Sequence, residues 1–183
     1  MNKYWIQYKS FLLFLGKFGF TYLVLLLVYQ LYLGQYNELL FEVDGFTKSV
    51  AAQVKQTLLF FDSEVASYVM PTQPSVMIQF HGKNIARIVE GCNAISVIIL
   101  FVAFVIAFTG KRKTTFLFVL LGSLLIHGMN VGRIALLVFL IYHFPAQEPL
   151  LHGVIFPLII YGSVFILWII WVNKFSLHAT KNT

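Results

Sequence analysis

Four apolar runs dominate the chain, and each is as long as a bilayer crossing or nearly so. A crossing helix needs about 20 apolar residues. The first run follows Lys9, carries Lys17 near its start and has no small-residue cleavage site behind it. It therefore predicts an uncleaved anchor that enters the membrane from the cytoplasm. The runs cover residues 11–33, 92–109, 114–144 and 153–172.

The third run is longer than one span requires, and small and polar residues interrupt it at 128–133. If residues 134–144 formed a full span, the loop PAQEP would be cytoplasmic and Lys174 would lie outside. If they form a short re-entrant or interfacial helix on the outer side, the last run goes inward, and Lys174 and Lys181 are cytoplasmic. The segment is too short for a span, and the KRK cluster at 111–113 marks a cytoplasmic loop. We therefore predict about four transmembrane helices plus this short outer helix, with both termini in the cytoplasm.

Residues 34–91, between the first two spans, contain no run of bilayer length. Apolar residues recur there at three- and four-residue steps, which predicts an amphipathic helix on the membrane surface or over the bundle. After Pro71 and Pro74, two β-prone runs, SVMIQF and IARIVE, flank the turn HGKN and predict a small β-hairpin. We expect this segment to be extracytoplasmic. The apolar helical positions are Val43, Phe46, Val50, Val54, Leu58 and Phe61.

Composition excludes a soluble domain. The 183 residues are 59% hydrophobic and 11% charged, with a mean hydropathy of +0.82, which is far too apolar for a soluble protein of this length. The net charge of +6 comes from residues scattered at the ends of apolar runs, a pattern typical of topology signals and not of nucleic-acid binding. The fold class predicted is all-α integral membrane, with a single polytopic membrane domain over 1–183. Its parts are a first span at 11–33, the extracytoplasmic segment 34–91 and a membrane core at 92–174.

Cys92, the only cysteine, stands where a polar approach becomes an apolar run. The predicted topology places it at the outer face, in the first turn of a helix. A lone cysteine at a membrane helix is most often a small apolar packing residue. A helix N-terminus, however, favours the thiolate that attacks carbonyl carbons, although the charge of Glu90 opposes this.

Arg133 is a stronger signal, because a permanent charge among apolar neighbours is costly near hydrocarbon. The alternative is an interfacial arginine whose charge reaches lipid phosphate. Next to it, Asn130 and the small-xxx-small pair Gly128 and Gly132 predict close approach of another helix.

The histidines are harder to rank. His152 precedes the last span on the outer face, but His143 lies on the same face, and topology does not separate the two. His127 is a further histidine of the membrane region.

Three motifs in order resemble the exosortase/archaeosortase family of membrane-embedded cysteine transpeptidases, and most of all its exosortase F branch. EGCNAIS opens a span, NVGRI follows the next, and the pair His152-Gly153 precedes the last apolar run, which ends YGSVFILWIIWVNKF. The resemblance covers about residues 76–174. It implies that Cys92 is the nucleophile and that Arg133 and His152 are its catalytic companions. The family commonly has serine and glycine after its cysteine, whereas Asn93 and Ala94 stand here.

The resemblance also implies an activity. Cys92 would form a thioester with a peptide carbonyl, His152 would take the thiol proton and give it to the leaving amine, and Arg133 would stabilise the oxyanion or the thiolate. The expected substrates are exported proteins with a C-terminal signal made of a short motif, a transmembrane helix and a basic tail. The enzyme would be a multi-pass protein of the bacterial inner membrane whose active site faces the periplasm.

No cofactor, metal or nucleic acid is expected. The expected partners are the substrates, the lipid bilayer and an accessory membrane protein. A different class stays open, a non-catalytic polytopic membrane subunit that binds a partner or forms part of a transport pathway.

Overall fold

The structure, a computed structural model, describes residues 2–108 and 110–176. Among these residues, three helices are long and apolar enough to cross a membrane, over Tyr8–Leu33, Arg112–His143 and Pro145–Phe175, and the molecule is a helical membrane protein. The elements in chain order are α1 (Asn2–Leu33), α2 (Gly45–Phe61), β1 (Val65–Val69), β2 (Val76–Phe80), β3 (Lys83–Ile88), α3 (Ile95–Ala107), α4 (Arg112–His143) and α5 (Pro145–Phe175). The centre of α5, Phe156–Ile170, is α-helical and is flanked by π-helical turns.

The second predicted span is shorter than expected. α3 has 13 residues, which is about 20 Å of helix against about 30 Å of hydrocarbon. Phe104 of α3 and Phe108, which directly follows α3, pack against Phe14 in the first half of α1, with ring centroids 5.7 and 4.5 Å apart. Asn93, just before α3, bonds to Tyr29 in the second half of α1, so α1 and α3 run in opposite directions along each other.

The predicted interruption of the third run is wrong. α4 is one unbroken helix of 32 residues, about 48 Å long, so residues 134–143 continue this helix and do not form a separate outer helix. A glycine inside a helix costs only about 1 kcal/mol, and no proline lies between 112 and 144. Burial of Val131, Ile134 and Val138 in the second half of α4 offsets that cost.

The predicted close approach at Gly128 and Gly132 is also wrong, since a Cβ added at either position would meet nothing within 4 Å. The close contact lies two turns earlier on α4. A Cβ at Gly122 would overlap the ring of Phe101 on α3, which is fully buried. Gly122 therefore fixes how closely α3 and α4 can pack.

α5 returns to the end of the bundle at which α3 and α4 are joined. Gly110 in that turn pairs with Ser176, and the buried Trp171 packs against Phe118 of α4. Lys174 therefore lies at the same end as the KRK cluster. Lys181 lies outside the described residues.

At the other end, α2 and an antiparallel sheet of order β1-β2-β3 pack against the second half of α4. The amphipathic helix and the hairpin are present as predicted, and β1 is an additional strand. On α2, Val50, Val54 and Leu58 are buried in one cluster with α4 and the sheet, which places this helix over the bundle. Phe61 of the predicted apolar face is 80% exposed.

His81 ties the turn between β2 and β3 to the end of α2. Its two ring nitrogens each lie 2.8 Å from a carboxylate, those of Asp62 and Glu64. The hydrogen bond to Asp62, with a smaller contribution from Glu64, raises the pKa of His81 above its usual value. Imidazolium donates both hydrogen bonds in this arrangement.

Candidate functional site

Cys92 ends a short 3-10 turn, Glu90–Cys92, that connects β3 to α3. Its backbone N–H donates to the carbonyl of Val89 at 2.9 Å. Because α3 begins only at Ile95, the prediction that Cys92 lies in the first turn of the helix is wrong. The side chain is half-buried and packs against the core formed by α2, the sheet and α4.

Ala94, between the cysteine turn and α3, has a left-handed backbone with φ 64° and ψ 5°. This conformation costs about 1 kcal/mol or more for a residue with a Cβ and nothing comparable for glycine. The glycine that the resembled family commonly has at this position would adopt it freely. The departure at Ala94 therefore leaves the backbone in a shape suited to glycine.

Asn93 fixes the cysteine turn (Glu90–Cys92) in place through a buried hydrogen-bond network. Its Oδ1 accepts from the N–H of Ile95 at 2.9 Å and so satisfies a free donor at the start of α3. Its Nδ2 donates to Tyr29 Oη at 2.9 Å and contacts Thr47 Oγ1 at 3.5 Å. The Tyr29 hydroxyl in turn donates to Glu90 at 2.6 Å. The turn is thus bound to α1 and α2 as well as to α3.

Asn130 joins the cysteine turn to α4. Its Nδ2 donates to the carbonyl oxygen of Cys92 at 2.7 Å, and its Oδ1 lies 3.5 Å from an Nη of Arg133. Asn130 is almost fully buried, with 1% of its surface exposed. Two of the three predicted site residues, Cys92 and Arg133, are therefore connected through this one side chain.

Arg133 itself has donors to spare. Its Nε is buried and has no hydrogen-bond partner among the described residues, and its one hydrogen bond in that part of the chain is the long one to Asn130. A guanidinium offers five N–H donors in a planar fork. At this place it can bind an oxyanion or a carboxylate that is brought next to the cysteine turn.

The structure does not connect His152 to these residues. His152 is exposed, and within the described ranges it makes no hydrogen bond. Trp171 of α5 contacts Phe118 of α4, and the two helices run in opposite directions. Equal distances along both helices from this contact place His152 level with a residue about one turn beyond Arg133 on α4. It therefore lies at the same end of the bundle as the site.

Two other histidines lie on α4. His143 bonds to the carbonyl of Phe139 in its own helix at 2.9 Å and is exposed. His127 is one turn before Asn130, and its Nε2 donates to Gln53 Oε1 of α2 at 2.7 Å. Of these two histidines, His127 lies nearer to Asn130 along α4.

A mainly apolar groove runs along the second half of α4. Its volume is about 420 Å³, within the range of about 300–1,000 Å³ that is typical of ligand sites, and the missing side chain at Gly132 leaves it open. It is lined by Thr57, Leu58, Phe61, Asp62, Phe80, Gly132, Ala135, Leu136 and Phe139.

Comparison with known proteins gives no relatives, since no family model, no curated protein and no solved structure matches the chain.

The sequence pointed to Asn130 but gave no reason to single out Tyr29, Thr47 or Gln53. Tyr29 is one of nine tyrosines and lies in an apolar run. Only its contacts with Glu90 and Asn93 mark it as part of the site.

Proposed function

We propose that this protein is a membrane-embedded cysteine transpeptidase or protease that cleaves the C-terminal sorting signals of exported proteins. The observation that carries the proposal is the connection of Cys92 to Arg133 through Asn130. Cys92 precedes Asn130 by 38 residues in the chain, and Cys92 and Arg133 were predicted from separate motifs. Among the described residues, the buried Nε of Arg133 without a partner gives the site a donor that a reaction intermediate would satisfy.

In the proposed reaction, the Cys92 thiolate attacks a peptide carbonyl carbon. The carbonyl oxygen becomes an oxyanion, which Arg133 stabilises by hydrogen bonding. The C–N bond then breaks, and the leaving amine takes the proton that His152 received from the thiol, which leaves a thioester on Cys92. An external amine or water then attacks the thioester carbonyl carbon and gives a proton to His152, the C–S bond breaks, and the thiolate is regenerated.

The membrane placement belongs to the same proposal. Asn130 meets the cysteine turn 18 residues after the start of α4 at Arg112, a rise of about 27 Å, which is close to the hydrocarbon thickness. α3 with its flanking turns then forms a short fourth crossing. The KRK end faces the cytoplasm, and Cys92 faces the periplasm of a bacterial inner membrane.

The apolar groove supports a peptide substrate. It follows α4 from Gly132 to Phe139, on the extracytoplasmic side of the level at which Asn130 meets the cysteine turn. The groove would therefore hold apolar side chains of the substrate outside the hydrocarbon, while the transmembrane helix of the signal would lie in the bilayer on the other side of this level. The cleavage site between the two would then lie at the level of Cys92.

The test is the processing of an exported protein with such a signal, in cells where this chain is the only copy. Cys92→Ala should abolish the change in substrate size, and Arg133→Lys should slow it about 100-fold, as loss of an oxyanion donor does. Ser96→Ala, an exposed change in the first turn of α3, is the matched control and should process normally. Normal processing by Cys92→Ala would refute the cysteine mechanism.

The histidine is tested in the same assay. We expect His152→Gln to abolish processing, while His143→Gln leaves it intact. If His127→Gln abolishes processing and His152→Gln does not, the proton transfer belongs to the histidine next to Asn130.

One observation favours the alternative of a non-catalytic membrane subunit. The half-buried Cys92 side chain packs against apolar neighbours, as a structural cysteine would. In that case Cys92→Ala would leave function intact, and the open face at Gly128 and Gly132 would bind a partner helix. Substitution of both glycines with leucine would then abolish function, whereas the enzyme proposal ties function to Cys92.

A further inference from the structure

A polar cleft of about 460 Å³ lies beside the turn that carries Cys92. It is enclosed by the outer end of α1, the loop before α2, the turn before β2 and the end of β3. Glu90 and Gly91 of the cysteine turn form part of its wall. Its volume falls in the range of about 300–1,000 Å³ that is typical of small-ligand sites.

The cleft has more negative than positive charge. It is lined by the carboxylates of Glu42, Asp44 and Glu90 and by one guanidinium, that of Arg87, which donates to Gln73. In the part of the chain that the structure describes, the ion pairs within 4.0 Å are those of His81, so no cation pairs with these three carboxylates. Each accepts one hydrogen bond from a neutral donor: Asn37 N at 2.8 Å, Thr47 N at 2.9 Å and Tyr29 Oη at 2.6 Å, respectively.

Ser75 provides an independent sign of a ligand. It lines the same cleft and is fully buried, with 0% of its surface exposed. Its Oγ has no hydrogen-bond partner among the described residues. Buried hydroxyl groups almost always have a partner, so a polar group that enters the cleft would complete this one.

We propose that the cleft binds an ammonium group, either of a free primary amine or of a lysine side chain. An ammonium group carries three N–H donors and no acceptor, and the carboxylates and the Ser75 hydroxyl of this cleft offer acceptors. The surplus of negative charge selects a cation over a carboxylate or a phosphate. Because Glu90 and Gly91 line the cleft, the bound group lies next to the cysteine turn. Binding does not depend on thiol chemistry.

The experiment measures binding of 4-fluorobenzylamine to the full-length chain in phosphatidylcholine nanodiscs by ¹⁹F NMR, with 4-fluorobenzyl alcohol as the neutral counterpart. The amine should bind and the alcohol should not. Glu42→Gln and Glu90→Gln should each weaken binding about fivefold, and Arg87→Gln should tighten it by a similar factor. Glu148→Gln, outside the cleft, is the matched control and should change nothing. Since Arg87 is exposed, its variant keeps the test valid if a glutamine variant folds poorly.

Competition then identifies the source of the ammonium group. If acetyl-Gly-Lys-Gly-amide displaces the probe at lower concentration than butylamine does, the ligand is a lysine in a polypeptide. The reverse order identifies a free amine. Equal binding of the amine and the alcohol, or binding that is insensitive to Glu42→Gln, Glu90→Gln and Arg87→Gln, would overturn the proposal. Repeating the titration with Cys92→Ala separates this result from the proposed enzymatic function, because the affinity should be unchanged.

Discussion

Replacement of Asn93 with alanine should weaken the fold more than its small size suggests, because this buried side chain serves three elements. The change removes the acceptor for the N–H of Ile95, which costs about 1 kcal/mol as for other helix caps. It also removes the donor to Tyr29 and the longer contact to Thr47, at about 1 kcal/mol per good hydrogen bond. We expect the free energy of unfolding to fall by about 2–3 kcal/mol.

A double-mutant cycle tests the network itself. Tyr29→Phe should cost about 1–2 kcal/mol, since it breaks the bonds to Glu90 and Asn93. The pair Asn93→Ala and Tyr29→Phe should cost about 1 kcal/mol less than the sum, because both variants lose the same bond. The measurement is reversible unfolding in mixed micelles, with the exposed Gln56→Ala as a control that should change stability by less than about 0.5 kcal/mol. Additive effects would show that the network does not hold the cysteine turn.

Three further predictions concern the backbone, the packing and one ion pair. Ala94→Val should destabilise the protein by about 2 kcal/mol or more in the same unfolding assay, because a β-branched residue resists a left-handed backbone. Ala94→Gly should fold normally. Equal stability of the two variants would contradict the left-handed geometry at this position. Gly122→Ala should lower the free energy of unfolding by about 1–3 kcal/mol through overpacking. Gly128→Ala should leave it unchanged or raise it by up to about 1 kcal/mol. A higher melting temperature for Gly122→Ala than for Gly128→Ala would refute the packing described. His81→Asn, in which asparagine tolerates the same backbone, should lower the free energy of unfolding at acidic pH. The reason is the raised pKa of His81 in the folded protein. The stabilisation that it gives is complete below the unfolded pKa of 6.5 and is lost as the pH rises through the folded pKa. Asp62, whose pKa is lowered, becomes protonated and loses its charge only at still lower pH. The difference in unfolding free energy between wild type and His81→Asn should therefore be largest between about pH 4 and 6.5. A difference that grows above about pH 8 would show that it does not come from the ion pair.

The sequence alone was enough to predict features that depend on neighbours in the chain. Apolar residues repeat at bilayer length and at helical spacing, so the membrane class, the amphipathic α2 and the hairpin around His81 followed from local pattern. β1 was not predicted, because Val65–Val69 mixes serine and alanine with larger residues and shows no clear alternation of apolar and polar residues. It is a strand because β2 supplies its hydrogen bonds.

Other features depend on residues that meet only in the folded chain. α4 continues through Gly128 and Gly132 because its second half is buried against α2 and the sheet, and the spacing of small residues in the sequence carries no information about that burial. In the same way, the chemistry of Cys92 and Arg133 could be named from their types, but their connection required Asn130 to reach a carbonyl 38 residues away. Residue type therefore determined which groups have the chemistry, and long-range packing decided which of them lie together.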